Sequence, residues 1–403
     1  MDLSDSPGEA AFRAECRAWL EANAPRRRYG TTLMDNLTDQ ADTPETVAAA
    51  REWQARKFAA GWGAITWPKE LGGRGGDPMQ QIIFDQEEGG FDVPTRVLDI
   101  GLGLAGPTLL AHGTPEQKQR WLPPLVRGEE IWCQLFSEPD AGSDLAGLKT
   151  RAVADGDDWV VSGQKVWTSG AHHAQWGMLL ARTDPDVPKS KGITYFVLDM
   201  RAKGVEVVPL RQMTGGAHFS EVFFDEVRVP ADCVVGTVNG GWAVGRTTLF
   251  SERALVGRML GNDSMTDDLI DLATAGGRRP EPIDRDELAR LYAVASVVRY
   301  TGYRLLTSIS RTGIPGIEAT TLKLQVGELF SRAAGFALSL EGAPGMGRSR
   351  WVEMLLSAPA LRLGGGTDEI MKNLIGEMVL GLPREPDVDR NTPFRELKVG
   401  TQR

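Results

Sequence analysis

The sequence predicts an α+β chain that runs helical, then β-rich, then helical, and three observations carry that expectation. Helix-start signals recur through the first 132 residues, at Ser6-Pro7-Gly8-Glu9, Thr43-Pro44 and Thr114-Pro115-Glu116-Gln117. From Cys133 the runs become short and rich in β-branched and aromatic residues, broken by Gly, Asp and Pro. After Gly240-Gly241 long helical periods return. The expected boundaries are a helical part over 1–132, a β part over 133–240 and a helical part over 241–403.

In the first part, Ser6 and Glu9 form a capping pair around Pro7, and Phe12, Cys16, Trp19 and Leu20 make one apolar stripe on the helix that follows. Gly61 and the glycine-rich stretch 71–76 separate helices. Gly101-Leu-Gly103-Leu-Ala-Gly106 matches the spacing of a dinucleotide-binding loop. However, Pro107 follows at once and the surroundings are helical rather than strand-turn-helix, so close helix packing is the better explanation. In the β part, strands are expected at 159–161, 165–168, 193–198, 205–208 and 221–229. Helices are expected near 242–272, 286–311, 319–341, 349–362 and 368–380, interrupted by the Gly, Arg and Pro linker 275–282.

Composition narrows the function classes. With 41% hydrophobic and 25% charged residues over 403 positions, the chain can bury a sizeable core. A net charge of −9 opposes nucleic acid and anionic membrane as partners, because both require a positive surface. Cys16, Cys133 and Cys233 are too far apart for a metal or redox pair, and three thiols point to a reducing, cytoplasmic location. The N-terminal dozen residues have neither the basic nor the apolar region of a secretory signal, and no apolar run approaches membrane-spanning length. The only adjacent histidines, His172 and His173, lack the spacing of a helical zinc site, so no metal centre is expected.

The chemistry lies in two blocks. In Leu135–Asp144 (LFSEPDAGSD), Ser137 and Ser143 bracket a Pro-Asp-Ala-Gly turn that can aim hydroxyl and N–H groups at an acceptor-rich ligand. In GQKVWTSG (163–170), Trp167 and Ser169 lie two residues apart on a strand. They therefore face the same side, where an indole and a hydroxyl can stack on and bond to one planar heterocycle. Either block alone reads equally well as a capped turn and a core tryptophan; together they favour a ligand.

With Glu221–Pro230 (EVFFDEVRVP) and the C-terminal GGTDEI (365–370) followed by LGLPR, these blocks resemble the acyl-CoA dehydrogenase family over almost the whole chain. The resemblance implies a helical N-terminal domain, a middle β-barrel and a C-terminal four-helix bundle. It implies FAD as cofactor and α,β-dehydrogenation of an acyl-CoA thioester to the trans-2-enoyl-CoA, as in β-oxidation. Electrons would pass to an electron-transferring flavoprotein. Phe136, Ser137, Ser143, Trp167 and Ser169 would border the flavin, Ser143 would also border the CoA ester, and Thr367 and Glu369 would reach the flavin from the C-terminal motif.

The sequence departs from the family in three places. The glutamate that many members place directly before Gly-Thr is here Gly365. In a second branch the base sits in a Glu-Arg pair on the first helix of the C-terminal domain, matched here by Glu252 and Arg253, with Arg253 then near substrate. The segments 276–282 and 341–345 replace family stretches near the adenine half of the cofactor and the subunit contact. The expected assembly is a homo-oligomer or a mixed tetramer with a homologous subunit. Two alternatives stay open, a flavin monooxygenase or oxidase of the same fold and a non-catalytic subunit. Gly364–Gly366, with Gly257 and Gly261, is compatible with a branched or polycyclic acyl chain.

Overall fold

Each expected helix start in the N-terminal part forms, because a side chain satisfies the otherwise unpaired first N–H groups. The structure, a computed structural model, describes residues 5–27, 43–94, 96–259, 265–312, 316–384, 386 and 389–397. Of Arg96, residues 253–259 and Ser310 it gives the backbone path only. Two compact units emerge, one from residues 1–40, 76–93 and 253–383, the other from 41–75, 94–252 and 384–403.

In the first unit, helix α1 (Pro7–Asn23) begins in a reciprocal box in which Glu9 N donates to Ser6 Oγ and Ser6 N to Glu9 Oε2. It buries Phe12, Cys16 and Leu20. Helix α2 (Pro44–Ala59), capped by Thr43, belongs to the second unit. Helix α3 (Pro78–Glu88) lies beside α1, with Arg13 and Arg17 both on Glu87 at 3.2 and 2.8 Å.

The second unit continues with α4 (Arg96–Ile100), a π-helical turn over Gly101–Ala105, α5 (Gly106–His112) and α6 (Pro115–Val126). The GLGLAG run is the packing seam the sequence implied. A Cβ on Gly106 would lie 2.1 Å from Cζ2 of Trp67, and one on Gly101 2.5 Å from Cδ1 of Leu125. Gly106→Ala gains up to about 1 kcal/mol of helix propensity, but overpacking against the buried Trp67 costs roughly 1–3 kcal/mol. A net destabilisation is expected, read as a lower denaturant midpoint with an unchanged m value.

Eight strands form one sheet: β1 (Trp132–Leu135), β2 (Arg151–Asp155), β3 (Asp158–Ser169), β4 (Trp176–Arg182), β5 (Ile193–Asp199), β6 (Val205–Leu210), β7 (Phe219–Pro230) and β8 (Val234–Val235). The order is β6-β7-β3-β2-β4-β5-β8, with β1 parallel to β4. The two expected runs at 159–161 and 165–168 are one strand, β3, and its pairing to β7 is broken by irregularities between Val161 and Gly163 and between Lys165 and Thr168. Leu135, Val161, Leu179, Phe196, Val222 and Val227 form the centre of the core beneath.

Helix α7 (Gly241–Met259) and helix α8 (Met265–Thr274) occupy the stretch expected as one helix near 242–272. Asp267 and Asp268 in the first turn of α8 favour a separate start, since acidic groups there complement the helix dipole. In the first unit α9 (Pro282–Thr312), α10 (Glu318–Glu341), α11 (Arg350–Leu363) and α12 (Asp368–Met378) follow. Helix α10 touches α8, α9, α11 and α12 around a core that includes Leu291, Leu322, Phe330 and Trp351. No described helix is long and apolar enough to cross a membrane.

Candidate active site

The LFSEPDAGSD loop leaves the sheet at the end of β1 and is held by buried charge. Lys165 of β3 is fully enclosed, and its Nζ donates to the Phe136 carbonyl at 3.0 Å and to Glu138 Oε1 at 2.7 Å. Glu138 in turn accepts from the N–H groups of Lys149 (2.6 Å) and Thr150 (2.9 Å), so one carboxylate ties the two ends of the loop together. Burial pushes the Glu138 carboxyl up, but the Lys165 ammonium and these N–H donors hold it below the usual range. Burial pulls the Lys165 ammonium down, only partly offset by Glu138. Val166 N donates to the Ser137 carbonyl at 2.9 Å, which sets the loop against the strand that carries Trp167.

Trp167 is the most unusual residue of the site. Its φ is +60°, a left-handed conformation that a bulky side chain rarely adopts, and it sits in the second irregularity of β3. Its ring is 60% exposed, edge-on to Phe219 with centroids 5.8 Å apart, while Thr168 is buried and Ser169 half-buried. The strain thus displays an indole that ordinary pleating would place differently. The hydroxyls of Ser137, Ser143 and Ser169 have no hydrogen-bond partner among the described residues, and Ser143 is exposed.

Beside this lies a second group of side chains. Helix α7 starts against β5: a Cβ on Gly241 would lie 2.4 Å from Tyr195 N and 2.7 Å from Thr194 Cα. Asn239, at φ +65°, donates its N–H to Thr194 Oγ1 at 2.8 Å. Gly241, Val244, Gly245 and Thr248 form the buried stripe of α7, and Glu252, one turn beyond Thr248 on the same face, is half-buried. Glu252 Oε2 is 3.5 Å from Gln134 Nε2 on β1. Thr248 Oγ1 is 2.9 Å from Thr108 Oγ1 and 3.3 Å from the Tyr195 hydroxyl, and the Phe136 ring meets Tyr195 edge-on at 6.0 Å. β1 and its exit therefore place Gln134 and Phe136, two residues apart, on the same polar and aromatic cluster as Glu252. The side chain of Arg253 and the surroundings of Gly257 and Gly261 lie outside the described residues.

In the helical unit, Thr367 caps α12, accepting from Ile370 N at 3.2 Å, and Glu369 is exposed. Asp368 is buried between Arg362 Nε (2.6 Å) and Lys323 Nζ (3.6 Å), which pins the turn. Gly365 and Gly366 have φ of +66° and +96°, and a Cβ on Gly366 would lie 2.5 Å from Met371 Cε. In the linker 275–282, Arg278 donates to the Leu272 carbonyl at 2.7 Å and to the Leu340 carbonyl at 3.3 Å, so its guanidinium closes helix ends.

The sequence reading did not find Gln134, Lys165, Glu138, Thr108, Tyr195 or Thr248. Glu138 and Lys165 stood inside the quoted motifs, but only the fold shows that they meet in the core. Thr248 could have been found by stepping back four residues from Glu252 along the helix.

The order of helical, β-sheet and helical parts, with the candidate residues on them, is placed by comparison with known proteins. The acyl-CoA dehydrogenase N-terminal, middle and C-terminal domain profiles match residues 6–129, 133–227 and 239–380. The chain belongs to the acyl-CoA dehydrogenase family and is an oxidoreductase of that class. It is 37% identical over 385 residues to acyl-CoA dehydrogenase IpdE1 of Mycobacterium tuberculosis, covering 93% of this chain and 98% of the relative. It is 42% identical over 367 residues to acyl-CoA dehydrogenase FadE34 of the same organism, covering 89% of this chain but only 51% of that relative, so the chain spans about half of its length. Among solved structures, the Tcur3481-Tcur3483 steroid ACAD is similar at TM-score 0.80 and 30% identity, covering 96% of this chain and 100% of that one. The ChsE4-ChsE5 complex from Mycobacterium tuberculosis is similar at TM-score 0.76 and 32% identity, over 96% and 100%.

Proposed function

We propose that this chain is an FAD-dependent acyl-CoA dehydrogenase that converts an acyl-CoA thioester to its trans-2-enoyl-CoA, with Glu252 as the base that removes the α proton. The observation that carries this reading is the position of Glu252 at the end of the buried stripe of α7, half-buried beside Gln134 and the Thr248-Tyr195-Phe136 cluster. A carboxylate partly removed from water is a stronger base toward a carbon acid than one on an open surface.

The residues present fit a flavin. Trp167 offers an exposed, conformationally forced indole face, and the hydroxyls of Ser137, Ser143 and Ser169 have no hydrogen-bond partner among the described residues. Phe136 completes the set in this unit, and the family resemblance by itself assigns Thr367 and Glu369 to FAD as well. When bound, FAD supplies the acceptor for the hydride from the β carbon. The protein's part is to hold the thioester near Ser143, keep water from the α carbon and place Glu252 to take its proton; Arg253 is a substrate contact by the family resemblance alone. An electron-transferring flavoprotein is the proposed acceptor.

The steroid ACAD among the structural neighbours, and the glycine run 364–366, favour a bulky polycyclic acyl group. Neighbours described as two-component assemblies favour a homologous partner subunit. Exposed apolar residues along α9, Tyr292, Val297 and Tyr300, are suited to covering by such a subunit.

Anaerobic titration of the FAD-loaded protein with straight-chain and steroid-derived acyl-CoA esters tests the reading: bleaching of the oxidised flavin band is expected, strongest with the polycyclic ester. Rapid air reoxidation without substrate turnover would favour the oxidase alternative. Failure to hold FAD, with or without a partner subunit, would overturn the assignment.

Replacing Trp167 separates cofactor binding from folding. Trp167→Gly removes the stacked face, worth about 0.5–1.5 kcal/mol beyond area burial. It also relieves a left-handed residue that costs of order 1–3 kcal/mol. The expected result is a raised FAD dissociation constant with unfolding stability unchanged or improved. Lost stability with intact FAD affinity would show instead that the indole serves the core.

A further inference from the structure

The C-terminal segment Asp389–Leu397 is docked on the loop between β4 and β5. Phe394 N donates to the Val187 carbonyl at 2.9 Å, Arg395 N donates to the Pro185 carbonyl at 3.0 Å, and Arg395 pairs with Asp186. Beneath it Arg182, only 4% exposed, has its guanidinium carbon 3.8 Å from the centre of the Phe394 ring. Among the described residues that guanidinium has no carboxylate in hydrogen-bond contact; Glu138, Asp144 and Asp184 act on it from further away. It donates to carbonyls instead, Nη1 to Lys189 O at 2.5 Å and Nη2 to Ala146 O at 2.6 Å and to Leu148 O at 3.3 Å, while its buried Nε has no hydrogen-bond partner among the described residues. The last two carbonyls lie just past Ser143, and Lys189 Nζ meets both oxygens of Asp144 at 2.8 and 2.9 Å.

One buried cation thus joins three stretches of chain: the far end of the LFSEPDAGSD loop, the β4–β5 loop and the C-terminal segment. Glu138 and Lys165 fix the near end of the first loop from the opposite direction. Burial works against the Arg182 cation, and Glu138, Asp144 and Asp184 offset it only through space, so the carbonyl acceptors and the negative face of a ring are its direct contacts. Removing the ring exposes Arg182 to solvent and loosens its hold on the 146–148 carbonyls.

We propose that Arg182 is a positioning residue and that Phe394 is the clasp that holds it, so that the C-terminal segment sets the conformation of the loop carrying Ser143 and with it the affinity for the acyl-CoA ester. The inference rests on the reading of Ser143 as part of the thioester site. It adds the control of that loop by a ring more than two hundred residues away in sequence.

The test compares Phe394→Ala, Phe394→Leu and Phe394→Tyr in the full-length, FAD-loaded protein. Hydrogen-deuterium exchange over 138–149 is measured alongside KM and kcat with an acyl-CoA ester that bleaches the wild-type flavin. Phe394→Ala and Phe394→Leu should both speed exchange in that loop. They should also raise KM by about threefold to tenfold, the range of a lost partly buried cation–π contact, with kcat little changed. Phe394→Tyr should match wild type, because it restores the ring face. Wild-type exchange in Phe394→Ala would overturn the proposal, as would a Leu variant that behaves like the Tyr variant. Faster loop exchange with unaltered KM would uphold the clasp and remove its link to the ester. A wild-type protein that binds no acyl-CoA would count against the proposed function, while the exchange comparison would still decide the clasp.

Discussion

Glu252→Gln is expected to slow anaerobic flavin reduction by roughly 10²–10⁴-fold, the span of lost general-base catalysis, while FAD content and acyl-CoA affinity stay close to wild type. The substitution keeps size and hydrogen bonding, so the 3.5 Å approach of Gln134 Nε2 to position 252 can persist with an amide oxygen in place of the carboxylate. A change in KM alone would show that Glu252 binds rather than abstracts, and reduction at the wild-type rate would place the base elsewhere. Moving the carboxylate to the other family position is not a simple rescue. Gly365 has φ +66° and its neighbour Gly366 is packed on Met371, so Gly365→Glu forces a left-handed glutamate at a cost of order 1–3 kcal/mol. Loss of stability in a Gly365→Glu variant is therefore a property of this turn and says nothing about where the base lies.

The largest effect on folding is expected from Lys165→Met. It leaves Glu138 buried beside a methionine, and breaking a buried ion pair by removing one partner costs about 3–5 kcal/mol. Pairing Lys165→Met with Glu138→Gln should recover part of the loss, because no unpaired charge then remains in the core. Equilibrium denaturation of the two single variants and the double variant measures this directly, and additivity would show that the two side chains are not coupled. The pH dependence has a definite sign. Since the folded-state pKa of Glu138 is lowered, its contribution is complete above the ordinary carboxylate range and disappears as pH falls through the depressed value. Acid should therefore destabilise wild type relative to the double variant.

Much of the fold was legible because its signals are local. Ser6, Thr43 and Thr114 cap their helices with the neighbours the sequence supplied, and the β-rich runs at 193–198 and 205–208 are strands. β4 was not among the expected strands, since WGMLLAR is buried on both faces and shows no alternation that separates a strand from a short core helix. The forced backbone of Trp167 could not be read either, because it depends on the register of β3 against β7. The same is true of the Arg182-Phe394 contact and the Glu138-Lys165 pair, each of which joins residues distant in sequence that attract only once the sheet has formed.

The seating of Gly241 on β5 makes α7 a lever. From that pivot to Glu252 the helix rises about 16 Å at 1.5 Å per residue. A tilt of only about 4° at the glycine would then swing the carboxylate by roughly 1 Å, the scale of misplacement that can cost a hundredfold in rate. Methyl-sized changes at Gly241, Thr194 or Asn239, none of which belongs to the assigned site, therefore act at the far end of the helix. Their signature would be a depressed kcat in a protein that still folds and still binds its cofactor.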